Sequence, residues 1–148
     1  MDSDMTRIIY VCHGNICRSP MARDIFIKLA QEAGVGHLFE VDSAATSREE
    51  IGNPVYPPAR RILAAHGISR MDHRARQMTM DDYRYYDRII VMDGENLWNA
   101  RRMTGGDPDG KIEMLLDRQV ADPWYTDDFQ TAYDDILEGC TDLLEELT

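Results

Sequence analysis

The sequence predicts an α/β fold built on a parallel sheet, and three observations carry that reading. Short β-branched runs alternate with stretches of helical periodicity, the pattern of successive βαβ units. The breaks between them are turns rich in Gly, Pro and Asp, with no long linker, internal repeat or low-complexity tract. At 148 residues, with 43% hydrophobic and 29% charged side chains, the chain fits one domain over 1–148 that builds a core without staples.

The elements follow in order. RIIYVC at 7–12 reads as a buried strand. Ser19-Pro20 supplies a hydroxyl acceptor and then a residue without an N–H, the pair that suits the N-cap and first position of a helix. Met21, Ile25 and Leu29 recur at i, i+4 and i+8, with Ala22 and Phe26 beside them, and carry that helix to about Gly34. LFEVDS at 38–43 suggests a second strand, GNPVYPP is turn chemistry, and ARRILAAHG reads as a helix ending at Gly67. RIIVM at 88–92 is the clearest third strand; Asp93-Gly94 and a helix to Arg102 come after it. TGGDPDG is a loop, and KIEMLL is the fourth strand. From Asp127 onward Phe129, Tyr133, Ile136, Leu137, Cys140, Leu143, Leu144 and Leu147 share one helical stripe, which assigns Cys140 to the core. Asp127 and Asp128 sit at the front of this helix, where its dipole favours anions.

Bulk properties exclude several functions. A formal net charge of −11 argues against non-specific binding to nucleic acid or to an anionic membrane. No apolar run approaches the roughly 20 residues of a membrane span. The segment MDSDMTR lacks the basic flank and apolar stretch of a secretory signal. Cys12, Cys17 and Cys140 form an odd set without a disulfide pattern, which favours a reducing cytoplasm. Histidines and cysteines never cluster at ligand spacing, so no metal or other cofactor is expected.

Function concentrates in the segment VCHGNICRSP. Free N–H groups of a loop between strand and helix converge on one concavity, a ready anion site, and ligands on parallel sheets bind beyond the carboxyl ends of the strands. Gly14 permits conformations that a side chain would forbid, and Arg18 offers a planar fork suited to two phosphate oxygens. The same positive field favours the thiolate of a cysteine at the cradle's base. Cys12 could then attack phosphorus and form a phosphocysteine that water hydrolyses. The competing reading is a strand-end cysteine acting as a small buried hydrophobe, with Cys-x5-Arg occurring by chance. Such chemistry needs a general acid. Asp122 in VADPWY is the candidate, held out of helical geometry by Pro123, with Trp124 and Tyr125 placed to flank a flat ring. The alternative is an ordinary Asp-Pro turn beside core aromatics.

The segments VCHGNICRSPMA, VDSAATS, IGNP, HRARQMT, DRIIVMD and ADPWY, in that order, resemble the low-molecular-weight protein tyrosine phosphatases, in particular a bacterial member. The resemblance spans nearly the whole chain. It implies a three-layer sandwich: a four-stranded parallel sheet, helices on both faces, and the phosphate-binding loop after the first strand. Carried over by position, it makes Cys12 the nucleophile, Arg18 the phosphate clamp and Asp122 the general acid and later base. His13, Gly14, Asn15, Ile16, Cys17, Ser19, Glu49, Trp124 and Tyr125 are the implied substrate-binding set. Within it Ser19 donates its hydroxyl to the thiolate, and Asn15 holds the loop in a strained shape. Ser43 and His73 are the implied braces of Asn15; without the resemblance they read as a strand-end serine and a surface or satisfied histidine. Cys17 matches a second loop cysteine able to trap an oxidised Cys12 as a disulfide.

The implied partners are a phosphotyrosine-containing protein, with a tyrosine kinase as one candidate, or a small aryl phosphate. Phosphate-like oxyanions are the implied inhibitors. Arsenate reductases on the same scaffold relay oxidation to further cysteines, and residues 74–100 contain none. Protein-arginine phosphatases of the family carry a threonine where this chain has Ile16, whose apolar side chain suits a phenyl ring. A non-catalytic anion-binding module would lack the nucleophile or the acid. The sequence departs from the family at Glu49 and Glu50, which make the rim acidic where an aromatic is common, at His13, and at Trp124, where many relatives have a tyrosine.

Overall fold

The computed structural model describes residues 5–148, so Met1–Asp4 of the segment read for a signal lie outside the described residues. β1 (Thr6–Cys12) sits inside a sheet ordered β2-β1-β3-β4, with β2 (Phe39–Ala45), β3 (Arg88–Val91) and β4 (Ile112–Met114) all parallel. The chain runs from β1 to β2 on one flank and then crosses to β3 on the other. The carboxyl end of β1 is therefore the point where the strand order reverses, and Cys12 is its last residue.

Helices cover both faces, which is why β1 and β3 read as continuous apolar runs rather than alternating ones. Ile8, Tyr10 and Ile90 face α1 (Arg18–Glu32), α2 (Pro57–Ala65) and α6 (Phe129–Leu147). Ile9, Val11, Ile89 and Val91 face the opposite way, toward α3 (Met80–Tyr85) and α4 (Gly94–Met103). The stripe on α6 joins the same core: Phe129, Tyr133, Ile136, Cys140 and Leu143 are buried, with Leu137, Leu144 and Leu147 partly buried against it. Cys140 is a core thiol; burial pushes it up to about 12.

Several details differ from the sequence reading, each for a local reason. α1 starts at Arg18, two residues before the expected first position at Pro20, and Ser19 caps nothing, because its hydroxyl is engaged by Cys12 and Asn15. KIEMLL yields a strand of three residues; Leu115 just beyond it still donates its N–H to the Val91 carbonyl, and its side chain packs against Gly139 of α6. α3 was not anticipated, being too short to show periodicity. Its start is nonetheless written in the sequence: Thr79 and Asp82 cap each other's backbone N–H groups reciprocally. ADPWY is a short helical turn, α5 (Pro123–Thr126), and Asp122 is its extended N-cap.

Gly139 fixes how closely α6 approaches the β4 edge, because a Cβ there would overlap the Leu115 side chain. Gly139→Val should destabilise the protein by about 1–3 kcal/mol through overpacking. The check is a lower urea midpoint at unchanged m-value.

Candidate active site

The loop from Cys12 to Arg18 is held open from behind. Asn15 adopts φ 60, the one left-handed residue in the loop, whereas Gly14 does not use its freedom. Asparagine tolerates that conformation better than most side chains, but it still needs support. The support is specific. Asn15 Nδ2 donates to Ser19 Oγ (2.8 Å) and Ser43 Oγ (3.0 Å), and Asn15 Oδ1 accepts from the Arg76 N–H (3.1 Å). Its carbonyl accepts from His73 Nε2 at 2.7 Å. The left-handed turn thus points the Asn15 side chain into the protein. The Asn15 and Ser19 side chains are fully buried behind the loop and are not among the residues that line the cavity.

The same turn aims polar hydrogens at sulfur. The Asn15 N–H points to Cys12 Sγ at 3.3 Å, and Ser19 Oγ lies 3.0 Å from it. Ser19 Oγ accepts from Asn15, and its own proton has two acceptors within reach, the sulfur at 3.0 Å and the Ala44 carbonyl at 3.4 Å. Both contacts place a polar group against the nucleophile candidate.

Arg18, 2% exposed, closes the cradle on the far side. Its Nη1 donates to Asp93 Oδ2 (2.7 Å) and to the Val120 carbonyl (2.8 Å), and its Nη2 reaches Asp122 Oδ2 at 3.3 Å. Burial alone would lower the guanidinium's pKa, but Cys12, Asp122 and Asp93 outweigh it and raise the value. Asp93 serves twice, since its other oxygen caps α4 at Asn96. The sequence reading placed Asp93 only between the third strand and the next helix and missed this anchor. Asp122 also serves twice: Oδ1 accepts from the Trp124 N–H at 3.0 Å while Oδ2 faces Arg18.

The cavity over Cys12 is lined by His13, Gly14, Ile16, Cys17 and Arg18 from the loop, Glu49 and Glu50 from one wall, and Asp122, Trp124 and Tyr125 from the other. Trp124 is fixed by Tyr56 (4.8 Å between ring centroids), which in turn stacks on Phe129. His13 Nε2 and Glu49 Oε2 meet at 2.7 Å across the rim, a pairing invisible at a separation of 36 residues. Cys17 is buried beside Cys12, and burial with the Cys12 charge pushes its thiol well above the usual range. His73 and Ser43 stand behind the loop, not in the cavity. Among the described residues no group of three His, Cys, Asp or Glu is arranged to hold a metal ion.

A sulfur floor met by one N–H and one hydroxyl, a buried guanidinium beside it and a carboxyl at the mouth are the groups that binding and attack of a tetrahedral oxyanion would need. Comparison with known proteins agrees. The family model for "Low molecular weight phosphotyrosine protein phosphatase" matches residues 7–148. The low molecular weight phosphotyrosine protein phosphatase of Gallus gallus is 39% identical, with 97% of this chain and 96% of the relative covered. The low molecular weight protein-tyrosine-phosphatase YfkJ of Bacillus subtilis is also 39% identical, at the same coverage. The YfkJ crystal structure superposes with a TM-score of 0.93, over 97% of this chain and 94% of that one. A Drosophila arginine phosphatase shares the fold at a TM-score of 0.86 and 29% identity, covering 94% of this chain and 96% of its own. The chain belongs to the low molecular weight phosphotyrosine protein phosphatase family, a family of cysteine-dependent phosphatases.

Asn15→Ala removes three side-chain hydrogen bonds and leaves a left-handed alanine. It should lower kcat/KM for p-nitrophenyl phosphate by about 10²-fold, the scale set by a small misplacement of reacting groups. Steady-state kinetics on the folded variant checks this.

Proposed function

We propose that this protein hydrolyses phosphotyrosine monoesters in proteins, with Cys12 as nucleophile, Arg18 as phosphate clamp and Asp122 as general acid and base. The observation that carries the proposal is the convergence on Cys12 Sγ of the Asn15 N–H and the Ser19 hydroxyl, beneath a cavity that Arg18 and Asp122 share. The loop amides and the Arg18 fork hold the three non-bridging phosphate oxygens. The Cys12 thiolate attacks phosphorus, forming an S–P bond as the P–O bond to the tyrosyl oxygen breaks. Asp122 Oδ gives its proton to that oxygen, and tyrosine leaves neutral. Asp122, now a carboxylate, takes a proton from water as the water oxygen attacks phosphorus. The S–P bond breaks, its electron pair returns to sulfur, and inorganic phosphate departs. Developing charge on the equatorial oxygens stays within reach of the same donors.

A phenyl ring fits the walls. Ile16, 8% exposed at the cavity, and the Trp124 and Tyr125 rings offer apolar faces to an aryl group. A guanidinium leaving group would meet no polar atom of the Ile16 side chain, and the Ile16 carbonyl is taken by the Tyr56 N–H, which favours tyrosine over arginine. Product phosphate and similar oxyanions should inhibit by occupying the same cradle. A phosphorylated tyrosine kinase is one candidate substrate, and a cytoplasmic location agrees with three free thiols. No helix among the described residues is long and apolar enough to cross a membrane.

Two measurements test this. Cys12→Ser should abolish p-nitrophenyl phosphate hydrolysis, and Asp122→Ala should slow turnover by about 10²–10⁴-fold. Activity surviving Cys12→Ser removes the phosphocysteine mechanism. For specificity, Glu49 and Glu50 beside the mouth should repel acidic flanks. At low salt, kcat/KM for phosphotyrosine peptides with Lys or Arg neighbours should exceed that for Asp or Glu neighbours by roughly five-fold, shrinking as salt rises. Equal values would show that the rim is solvated charge only.

A further inference from the structure

Behind the loop lies a charged pair that the mechanism does not use. Arg23 and Asp24, on successive positions of α1, are 3% and 5% exposed. Arg23 Nε and Nη2 grip Asp24 at 2.8 and 3.2 Å, and Arg70 holds Asp24 from outside at 2.9 Å. This bidentate grip fixes the guanidinium plane. Arg23 Nη1 then reaches two targets: Ser43 Oγ at 3.1 Å and His73 Nδ1 at 2.8 Å. Ser43 and His73 are also two of the groups that hold Asn15.

We propose that Arg23, locked by Asp24, is a positioning residue that fixes the tautomer of His73 and thereby the left-handed turn of Asn15 in the phosphate loop. The argument is one of donors and acceptors. A guanidinium has only N–H groups to offer, so Nδ1 of His73 must present its lone pair. Its single proton is then on Nε2, the nitrogen facing the Asn15 carbonyl. With that tautomer both contacts are good hydrogen bonds. An imidazolium would turn an N–H against the Arg23 N–H, and the chain from α1 to the loop would break. Asp24 keeps the arrangement electrically tolerable in a buried site.

The charged surroundings of His73 include Arg23 and Asp24 from α1, Asp42 from β2, and the adjoining Arg74, whose Nη1 donates to the His73 carbonyl at 2.9 Å. Burial chiefly, together with the Arg23 charge, lowers the His73 pKa against the Asn15 bond and the two aspartates. The sign follows from linkage. The unfolded chain takes up this proton near pH 6.5, and the folded one only at lower pH. The contribution of His73 is therefore complete above about pH 6.5 and is lost as pH falls through the folded value.

The proposal rests on the phosphatase reading only for its kinetic arm, and nitrogen-detected NMR of His73 tests it without turnover. In the wild type, His73 should be neutral at pH 7 with the proton on Nε2, and should stay neutral below the ordinary histidine range. Arg23→Met should move its titration up toward that range. Arg23→Glu, which accepts from Nδ1–H, should move it higher still. Arg23→Met should also lower kcat/KM for p-nitrophenyl phosphate by about 10–100-fold, with Arg23→Lys recovering part of the loss. A wild-type His73 protonated on Nδ1 at pH 7 overturns the proposal, even if no Arg23 variant folds. So does a folded Arg23→Met protein with unchanged kcat/KM, which would leave Arg23 a merely structural residue.

Discussion

The site depends on one backbone angle. Asn15 occupies the left-handed region, a conformation that costs about 1–3 kcal/mol for a residue with a side chain unless its surroundings impose it. Only with that turn does the loop fold back so that its N–H and the Ser19 hydroxyl converge on Cys12 Sγ. Everything that pays for the turn comes from elsewhere in the chain: Ser19 from α1, Ser43 from β2, His73 and the Arg76 amide from the segment before α3. The fold brings these together because β1 and β2 are paired in register through Cys12 and Ala45, and Gln77 bridges to Ala45 beyond them.

The acid side is organised on the same economy. Arg18 is anchored by Asp93 at the end of β3 and by the Val120 carbonyl. Its remaining edge faces the cavity and Asp122. Each carboxylate near it is also a helix cap, Asp93 for α4 and Asp122 for α5. Such double use ties the geometry of the charged groups to the secondary structure. A shift of either helix start would move a donor or an acceptor of the site.

What was legible in the sequence was local. Cys12, Arg18, the strand before them and the helix after them lie within about one loop length, and their chemistry needs no knowledge of distant contacts. Asp122 carried a weak signal, because an Asp-Pro turn is common, and Pro123 does hold it extended. The roles read for Asn15, Ser43 and His73 came from resemblance, since no spacing connects residues 28 and 58 positions apart. Arg23, Asp93 and the His13–Glu49 contact went unseen for the same reason: each is defined by a partner distant in the chain. Ser19 was misread as a helix cap because a serine before proline is a good local cap. Tertiary demand from Cys12 and Asn15 claimed its hydroxyl instead.

The central claim is that the phosphoryl group passes through Cys12. Asp122→Asn provides the most direct test, because p-nitrophenolate leaves with little protonation whereas water attack still needs the base. Mixed rapidly with p-nitrophenyl phosphate, this variant should release a burst of about one nitrophenolate per active site. Peptide mass spectrometry after the quench should place the phosphoryl group on Cys12. Release without a burst, with phosphorus on no residue or on one other than Cys12, would contradict the account.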